Sequence, residues 1–265
     1  MTERKVRRPG AGRKKTLAPD LPPLSTDESL SLATRVHLAL RRALMSGGLM
    51  PGAIVTSRSL SDALGVSPMP VREALKKLEV EGALQSRNKS AFFVNDPNQT
   101  EFSELLEVRL KLEGLAIEKA ARVCTPGDLK KIRALNDRYQ QLMNRGGKDS
   151  GRALVSNFHF HFEIYSLSGS SILIELIEAN WVRIGPVLNR SIAPTTNLKK
   201  SMHAHEDMIQ ALAENDPELA VRALSTDLLS AYEDIFPQLR PPTARPEGKL
   251  PDHFANAWRD LSAAR

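Results

Sequence analysis

The chain has 265 residues, of which 41% are hydrophobic, and a formal net charge of +6. This length gives room for two domains of ordinary size, and the single cysteine, Cys124, excludes an internal disulfide and suits a reducing compartment. No apolar run is long enough for a membrane span and no signal-peptide core follows the basic N-terminus, so we expect a cytoplasmic protein.

Positive charge is concentrated at the start of the chain. Residues 1–15 contain seven Lys or Arg against one acid, Glu3, mixed with Gly and Pro and without apolar periodicity. Residues 31–95 contain nine basic and four acidic side chains, whereas residues 101–236 contain sixteen and nineteen. We therefore predict a disordered basic tail over residues 1–28, a nucleic-acid-binding domain over 29–95, and a second domain that does not contact nucleic acid.

The stretch Pro51–Val94 has the pattern of a helix-turn-helix. It follows a predicted first helix, Leu30–Ser46, whose apolar residues recur at helical spacing. Ser57 or Ser59 can cap a short second helix, and Gly65 supplies the left-handed residue that ends it. The next helix therefore starts after a tight turn.

That next helix begins at Ser67, which can act as the N-cap, and Pro68, which lacks the N–H that the first helical position leaves unpaired. It carries an apolar stripe on one side and basic residues on the other, and it ends at Gly82. Two short helices joined by a glycine-containing turn predict a helix-turn-helix. Leu84–Arg87 and Ala91–Val94 predict a two-stranded wing after it.

This segment resembles the winged-helix domain of the GntR family of bacterial transcription regulators. The resemblance is carried by Leu60–Ser67, Pro70–Leu75 and Leu78–Gly82, after the pair Pro51-Gly52. It implies that Arg58 and Arg72 contact DNA. The expected phosphate contacts are Lys76, Arg87 and Lys89.

Two positions depart from the family pattern. Pro68-Met69 replaces the usual Arg-Thr at the start of the recognition helix, which removes one expected base contact. Ser90 replaces the usual glycine of the wing, which leaves the shape of its tip open. A helical hairpin without a DNA role is the plain alternative, and so many matches at fixed spacing argue against it.

After a polar linker, residues 96–100, the pattern is helical nearly to residue 236. Six amphipathic helices are predicted, over residues 102–120, 126–143, 153–168, 172–191, 198–214 and 217–236, the fourth bent near Gly185-Pro186. No strand pattern competes with them, so the predicted fold is mainly α, a winged helix-turn-helix followed by an all-α bundle. Residues 237–265 are predicted to be a C-terminal tail.

The helical half resembles the FCD domain, the FadR-type ligand-binding domain of the same family. The residues that carry this resemblance are Glu107-Val108-Arg109, Leu112-Glu113, Phe160-His161, Ser168-Gly169, His205, Ala211 and Asp216. With the winged helix, the resemblance covers about residues 30–236. It implies that residues 101–236 form an effector-binding domain.

Four polar residues, Asn157, His161, His205 and Asp227, occupy positions that helical periodicity assigns to apolar faces. A buried carboxylate is costly without a partner, so a cation or donors should lie near Asp227. In FCD domains that bind metal, the ligands at these positions are an Asp and three His. The resemblance therefore implies a metal site in which Asn157 replaces the Asp and Asp227 replaces the outer His. Two imidazoles and one carboxylate suit Zn²⁺, Ni²⁺ or Mn²⁺ with open positions.

Two alternatives stay open at this site. The four residues can form a hydrogen-bonded polar network without a metal. Arg109 can be an ordinary exposed residue of a long helix or, as the resemblance implies, can reach into the bundle and pair with an effector carboxylate.

These observations predict a ligand-responsive transcriptional regulator of double-stranded DNA. We expect a repressor that binds an inverted-repeat operator as a homodimer, with a small carboxylate effector held near a divalent metal. The alternative is a metal-free regulator that senses an acyl or other hydrophobic ligand. A metallohydrolase would need a general base, for which only Glu163 and Glu206 are near, and neither lies in a known metalloenzyme motif, so we expect no enzyme activity.

Overall fold

The computed structural model describes residues 21–88, 91–145, 149–192 and 198–241. Within these ranges the chain is mainly helical and contains one three-stranded sheet. None of the helices in these ranges is long and apolar enough to cross a membrane. Residues 1–20 of the predicted basic tail, Lys89 and Ser90 of the wing, and residues 242–265 lie outside the described residues.

The first six elements form the predicted winged helix-turn-helix. They are α1 (Leu32–Met45), β1 (Ile54–Thr56), α2 (Ser57–Leu64), α3 (Pro68–Val80), β2 (Leu84–Asn88) and β3 (Ala91–Val94). The predicted cap of α2 was wrong, because Thr56 is the N-cap and Ser59 completes a reciprocal capping box with it. Gly65 ends α2 in the left-handed conformation, as predicted, with φ of 67°.

The sheet has three strands in the order β1-β3-β2, one more than the predicted wing. β1 pairs antiparallel with β3, with Ile54 opposite Phe93, and β2 pairs with the other edge of β3, with Leu84 opposite Val94. Val55 is buried at 4% exposure, so this short strand contributes to the core. Three residues are too few for period-two alternation to stand out in the sequence.

The second half is a bundle of helices. They are α4 (Gln99–Ala121), α5 (Pro126–Asn144), α6 (Ser150–Ser166), α7 (Ser171–Ile184), α8 (Leu198–Ala213) and α9 (Pro217–Ile235), with 3-10 helices at Val187–Ile192 and Phe236–Gln238. Helix α9 packs between α4 and α8, and α5 packs on α6. Helix α4 begins three residues earlier than predicted, because Asn98 caps it in a box with Glu101.

The fourth predicted helix is interrupted rather than bent. Helix α7 ends at Ile184 and the chain continues, after Gly185, as the 3-10 helix Val187–Ile192. A Cβ added at Gly185 would collide with the carbonyl oxygens of Leu44 and Met45 at the end of α1. The glycine therefore permits direct backbone contact between the winged helix and the bundle.

The two halves share one continuous hydrophobic core. Across their boundary, Arg41 of α1 forms an ion pair with Glu178 of α7. Within the winged helix, Arg41 Nε also lies 3.2 Å from Glu81 Oε2. Arg183 Nε donates to the Glu81 carbonyl oxygen at 3.0 Å. The winged helix is thus held against α7, on the side of the bundle where the 3-10 helix Val187–Ile192 follows.

The chain packs back on the bundle after α9. Leu239 is buried at 4% exposure, and the backbone N–H of Gln99 donates to the Arg240 carbonyl oxygen at 3.1 Å. Residues 237–241, which the sequence assigned to a tail, therefore cover the start of α4.

Candidate DNA-binding face and buried polar centre

Helix α3 carries the predicted DNA contacts on the side opposite to its packing side. Val71, Leu75 and Leu78 are at most 1% exposed, whereas Arg72 and Lys76 are exposed. The spacing of three and four residues places each set on one face. Helix α3 therefore presents a basic outer face supported by a rigid apolar one.

The other predicted DNA contacts lie on neighbouring elements. Arg58 is an exposed residue in the first turn of α2. Arg87 lies on strand β2 of the wing, and Lys89 is outside the described residues. The structure thus places Arg58 and Arg72 on the two helices of the motif.

Three of the four predicted polar cluster residues come together inside the bundle. His161 of α6, His205 of α8 and Asp227 of α9 are exposed by 1%, 0% and 5%. One ligand atom from each lies within 4.8 Å of the other two. The Nε2 atom of His161 is 3.3 Å from Asp227 Oδ2, and the Nε2 atom of His205 is 3.6 Å from Asp227 Oδ1. We call this trio the buried centre.

A hydrogen-bond donor lies beside Asp227, as predicted from the cost of burying its carboxylate. Ser201 Oγ donates to Asp227 Oδ1 at 2.6 Å. Burial acts to raise the pKa of Asp227, but His205, His161 and the Ser201 hydroxyl together hold it below its usual value. The carboxylate is therefore ionised at neutral pH.

A second buried network lies beside the centre and was not predicted. Glu113 of α4 is fully buried and accepts from Arg109 Nε at 2.6 Å and from Arg109 Nη2 at 3.2 Å. It also accepts from Tyr165 Oη at 2.5 Å and from Trp181 Nε1 at 3.1 Å. Arg109 is buried, at 4% exposure, which excludes the interpretation of an ordinary exposed arginine.

This network favours a proton on Nδ1 of His161. Burial next to Glu113 raises the pKa of Tyr165 well above its usual value, so the phenol keeps its proton and donates it to Glu113. The Tyr165 oxygen, 3.2 Å from His161 Nδ1, can then only accept from that nitrogen. In a neutral imidazole, Nε2 of His161 is therefore an unprotonated acceptor that faces Asp227.

The tautomer of His205 is fixed in a parallel way. Asn136 Nδ2 donates to Glu206 Oε1 at 2.6 Å, which turns the Asn136 oxygen toward His205 Nδ1 at 3.1 Å. Nδ1 of His205 therefore donates, and Nε2 is again an acceptor directed at Asp227. This Nε2 is the buried side-chain atom that has no hydrogen-bond partner within the described part of the chain.

Burial also sets the charge of His205. Desolvation lowers its pKa from 6.5 to about 3, with Asp227 opposing the shift and His161 adding to it. Phe160 stacks on the imidazole with ring centroids 4.1 Å apart, and Tyr139 packs at 5.0 Å. His205 is therefore neutral at neutral pH, the state that metal coordination requires.

The buried centre opens onto a small cavity of about 40 Å³. Asn157 and Arg109 line this cavity together with His161 and Asp227, so four of the five predicted effector-domain residues border one space. The fifth, His205, does not line the cavity and lies behind its wall, with Nε2 3.6 Å from Asp227 Oδ1. Leu188 and Ser191 of the 3-10 helix Val187–Ile192 form another part of the wall.

The donor set of the centre fits a divalent cation. When both imidazoles are neutral with the proton on Nδ1, two nitrogen acceptors and a carboxylate converge, and such an arrangement is repulsive unless a cation, either a metal ion or a proton, lies among them. Two neighbouring ligand atoms of an ion with bonds of about 2.1 Å are roughly 3.0–3.4 Å apart, close to the observed nitrogen–oxygen distances of 3.3 and 3.6 Å. Each imidazole also donates its other N–H to an oxygen, as metal-bound histidines usually do.

Sequence reasoning missed Glu113 and Asn136 as supports of this site. Both lie on mainly apolar stripes, Glu113 between Leu106 and Ile117 on α4 and Asn136 between Ile132 and Tyr139 on α5. That signal could have identified them as buried. Glu206, weighed as a general base, instead accepts from Asn136 and from Gln140 Nε2 at 2.7 Å. It orients Asn136 and is not directed at the centre.

Comparison with known proteins matches both halves of the chain. Residues 32–94 match the family model of bacterial regulatory proteins of the gntR family, and residues 104–230 match the FCD domain. The HTH-type transcriptional regulator McbR of Escherichia coli K12 is 33% identical over 192 residues, which are 71% of this chain and 86% of McbR. The chain belongs to the GntR family. It has the FCD type of second domain, as the resemblance implied.

Solved structures of family members share the fold. The structure of E. coli McbR/YncC matches with a TM-score of 0.72 and 30% identity over 79% of this chain and 99% of that one. A structure described as transcriptional regulator GntR from Rhodococcus sp. RHA1 matches with a TM-score of 0.64 and 25% identity, over 80% of this chain and all of that one.

A third relative, the HTH-type transcriptional repressor RspR of E. coli K12, is 23% identical over 202 residues, 76% of this chain and 87% of RspR. These GntR-family relatives are transcriptional regulators rather than enzymes, and this chain is likewise a DNA-binding regulator. The metallohydrolase alternative is thereby set aside.

Proposed function

We propose that this regulator is a repressor whose affinity for its operator is controlled by a divalent metal and a small carboxylate bound at the buried centre. The observation that carries the proposal is the convergence of three acceptors, His161 Nε2, His205 Nε2 and Asp227, on one point. The repressor role is the role that RspR is named for. The regulator acts on chromosomal DNA, so its proposed location is the cytoplasm.

The metal would be held by His161, His205 and Asp227, with Asn157 as a weaker neutral oxygen ligand from the same cavity wall. Zn²⁺, Ni²⁺ and Mn²⁺ all accept this mixture of nitrogen and oxygen donors. When bound, the ion supplies open coordination positions for an oxygen ligand. The tautomers set by Tyr165 and Asn136 keep both Nε2 atoms ready for it.

The charges around the cavity favour a singly charged effector. Arg109 and Glu113 neutralise each other, so a divalent ion beside Asp227 leaves one net positive charge. Glu113 takes Nε and Nη2 of Arg109, and Nη1 is the nitrogen that we propose meets the effector carboxylate. A cavity of about 40 Å³ suits a ligand of few heavy atoms, whereas drug-sized or acyl ligands need roughly 300 Å³ or more. This size argues against the hydrophobic-ligand alternative.

The wall of the cavity is also the support of the winged helix. Asn189 of the 3-10 helix Val187–Ile192 donates from Nδ2 to the carbonyl oxygen of Gly47 at 2.8 Å, in the turn after α1. A Cβ at Gly47 would lie 2.6 Å from Cδ1 of Leu154, which lines the cavity. An occupant that displaces Leu154 or Leu188 would therefore move the Gly47 turn and, with it, the orientation of α3.

We propose that two copies bind an inverted repeat, because the symmetry of a dimer is mirrored in that of its operator. Helices α4 and α7 pack on each other and expose apolar side chains that suit a second copy. These are Val108 at 43%, Leu115 at 47%, Ile172 at 71% and Leu176 at 49% exposure. A chain that sediments as a monomer at micromolar concentration, both alone and on DNA, would contradict this.

The metal proposal is tested by thermal melting with Zn²⁺, Ni²⁺ or Mn²⁺ and then with excess chelator. A metal that binds only the folded state at a hundredfold excess over its dissociation constant should stabilise the protein by about 2.7 kcal/mol. We expect this stabilisation in the wild type and its loss in the double variant His161→Ala/His205→Ala.

A matched control is available on the same two helices. His159 and His203 precede the ligands by two residues and are exposed. The variant His159→Ala/His203→Ala should keep the full metal response. If the wild type and the ligand variant respond alike, the centre is a polar network in which a proton on an imidazole, rather than a metal, offsets Asp227.

A further inference from the structure

The recognition helix α3 begins with an exposed apolar tip. Its first three residues are Pro68, Met69 and Pro70, after the N-cap Ser67. The Met69 side chain is 73% exposed, among the highest values of the large apolar residues that the structure describes. Lone surface methionines are common, so exposure alone assigns no role.

The position of Met69 on the helix places its exposed side chain on the predicted DNA-contacting face. Met69, Arg72 and Lys76 follow each other at spacings of three and four, so they form one stripe on the face opposite to Val71 and Leu78. Met69 therefore lies on the same outer face as the two basic residues. It is the one nearest the N-terminus of α3.

The chemistry of this end is unusual for a helix start. Pro68 and Pro70 have no backbone N–H, so two of the donors that a helix normally presents at its first turn are missing. The Ser67 side chain makes no capping hydrogen bond. The tip is thus poorly suited to hold a phosphate, and its exposed surface is mainly hydrocarbon.

In a helix-turn-helix, the N-terminal residues of the recognition helix contact base edges in the major groove. The apolar group displayed there is the 5-methyl group of thymine. We propose that Met69 determines part of the operator specificity by packing on a thymine methyl group, next to the base pair that Arg72 contacts. This proposal rests on the proposed use of the α3 outer face for base contacts.

The test removes only the methyl group. A duplex is first enriched from a random-sequence pool by the purified full chain, and each thymine of a half-site is then replaced in turn by uracil. Affinities are measured by fluorescence anisotropy at fixed salt. Burial of one methyl group is worth about a fourfold change in affinity, so we expect one uracil position per half-site to weaken wild-type binding about fourfold.

Met69→Ala should bind the thymine and uracil duplexes equally, because the contact is already lost. Its fold should be unchanged, since the side chain is exposed. Val80→Ala is the matched control, because Val80 is 88% exposed at the other end of α3, and this variant should keep both the affinity and the thymine preference.

Two results would overturn the proposal. The first is a wild-type affinity that no uracil substitution changes, or enriched half-sites that contain no thymine. The second is a Met69→Ala variant that still prefers thymine to uracil as the wild type does. The variant Arg72→Ala distinguishes a wrong role for Met69 from a wrong assignment of the whole outer face of α3. If Arg72→Ala binds as tightly as the wild type, the outer face of α3 is not used and the DNA-contact assignment itself fails. If it binds weakly while uracil has no effect, only the role of Met69 is wrong.

Discussion

The outer face of α3 and the buried centre use polar residues in opposite ways. On α3, Arg72 and Lys76 stand in solvent, and the fold needs only the apolar residues behind them. In the bundle, Arg109, Glu113 and His205 replace apolar core residues, and each is at most 4% exposed. Function on α3 can therefore change without affecting stability, whereas every change at the centre also alters the core. The predictions below test this contrast.

The largest effect is expected at Glu113. Glu113→Leu removes the carboxylate that compensates the buried Arg109 guanidinium and should destabilise the protein by about 3–5 kcal/mol, measured by urea unfolding. The double variant Arg109→Met/Glu113→Leu should recover part of this loss, since no charge is left uncompensated. A single variant as stable as the wild type would mean that the pair is not a structural necessity.

Arg72→Ala should show the opposite behaviour. Its exposed guanidinium has no role in the core, so the unfolding free energy should stay within about 0.5 kcal/mol of the wild type. Specific operator binding should weaken by about 1–3 kcal/mol for each lost base contact. Unchanged operator affinity of the variant in a gel-shift titration would show that Arg72 does not contact DNA.

Lowering the pH should destabilise the folded protein through the buried centre. The pKa of His205 is about 3 in the folded state against 6.5 as the reference, so the unfolded chain binds one more proton between these values. With metal removed, His205 should therefore contribute a loss of about 1.4 kcal/mol per pH unit as the pH falls from 6.5 toward 3. The lowered pKa of Asp227 acts in the same direction below its usual range.

The contribution of His205 is isolated by comparing slopes. His205→Gln should flatten the dependence of unfolding free energy on pH in this window, although it also lowers the stability itself. His203→Gln, an exposed neighbour on α8, should leave the slope unchanged. Equal slopes in all three proteins would show that His205 is not held neutral by burial.

A modest loss of stability is expected when the contact between the winged helix and the bundle is removed. Asn189→Ala removes the hydrogen bond to Gly47 and should cost about 1 kcal/mol. It should also reduce the change in operator affinity on adding metal, measured as the ratio of dissociation constants with metal and with chelator. Asn180→Ala is the control, because the Asn180 side chain donates to the carbonyl oxygen of Leu176 in its own helix and makes no hydrogen bond to the winged helix among the described residues 21–88 and 91–94. An unchanged ratio in Asn189→Ala would place the coupling elsewhere.

The sequence alone determined the winged helix and the helical nature of the bundle. Glycine and proline at α2 and α3 act within a few residues, and the apolar stripes repeat at the helical period, so both signals are local. The same periodicity exposed His161, His205 and Asp227 as polar residues on apolar faces. The start of α4 was placed late because its cap, Asn98, lies in a segment that resembled a linker.

Only the tertiary structure decided what those polar residues contact. The contacts of Glu113 with Tyr165 and Trp181, the hydrogen bond between Asn136 and His205, and the support of Gly47 by Asn189 join elements that are distant in the sequence. Helical periodicity assigns a residue to a face but not to a partner, because partners depend on how whole helices pack. For the same reason the sequence could predict that Asp227 needs a cation or donors, while the direction of both Nε2 atoms toward it emerged only from the packed bundle.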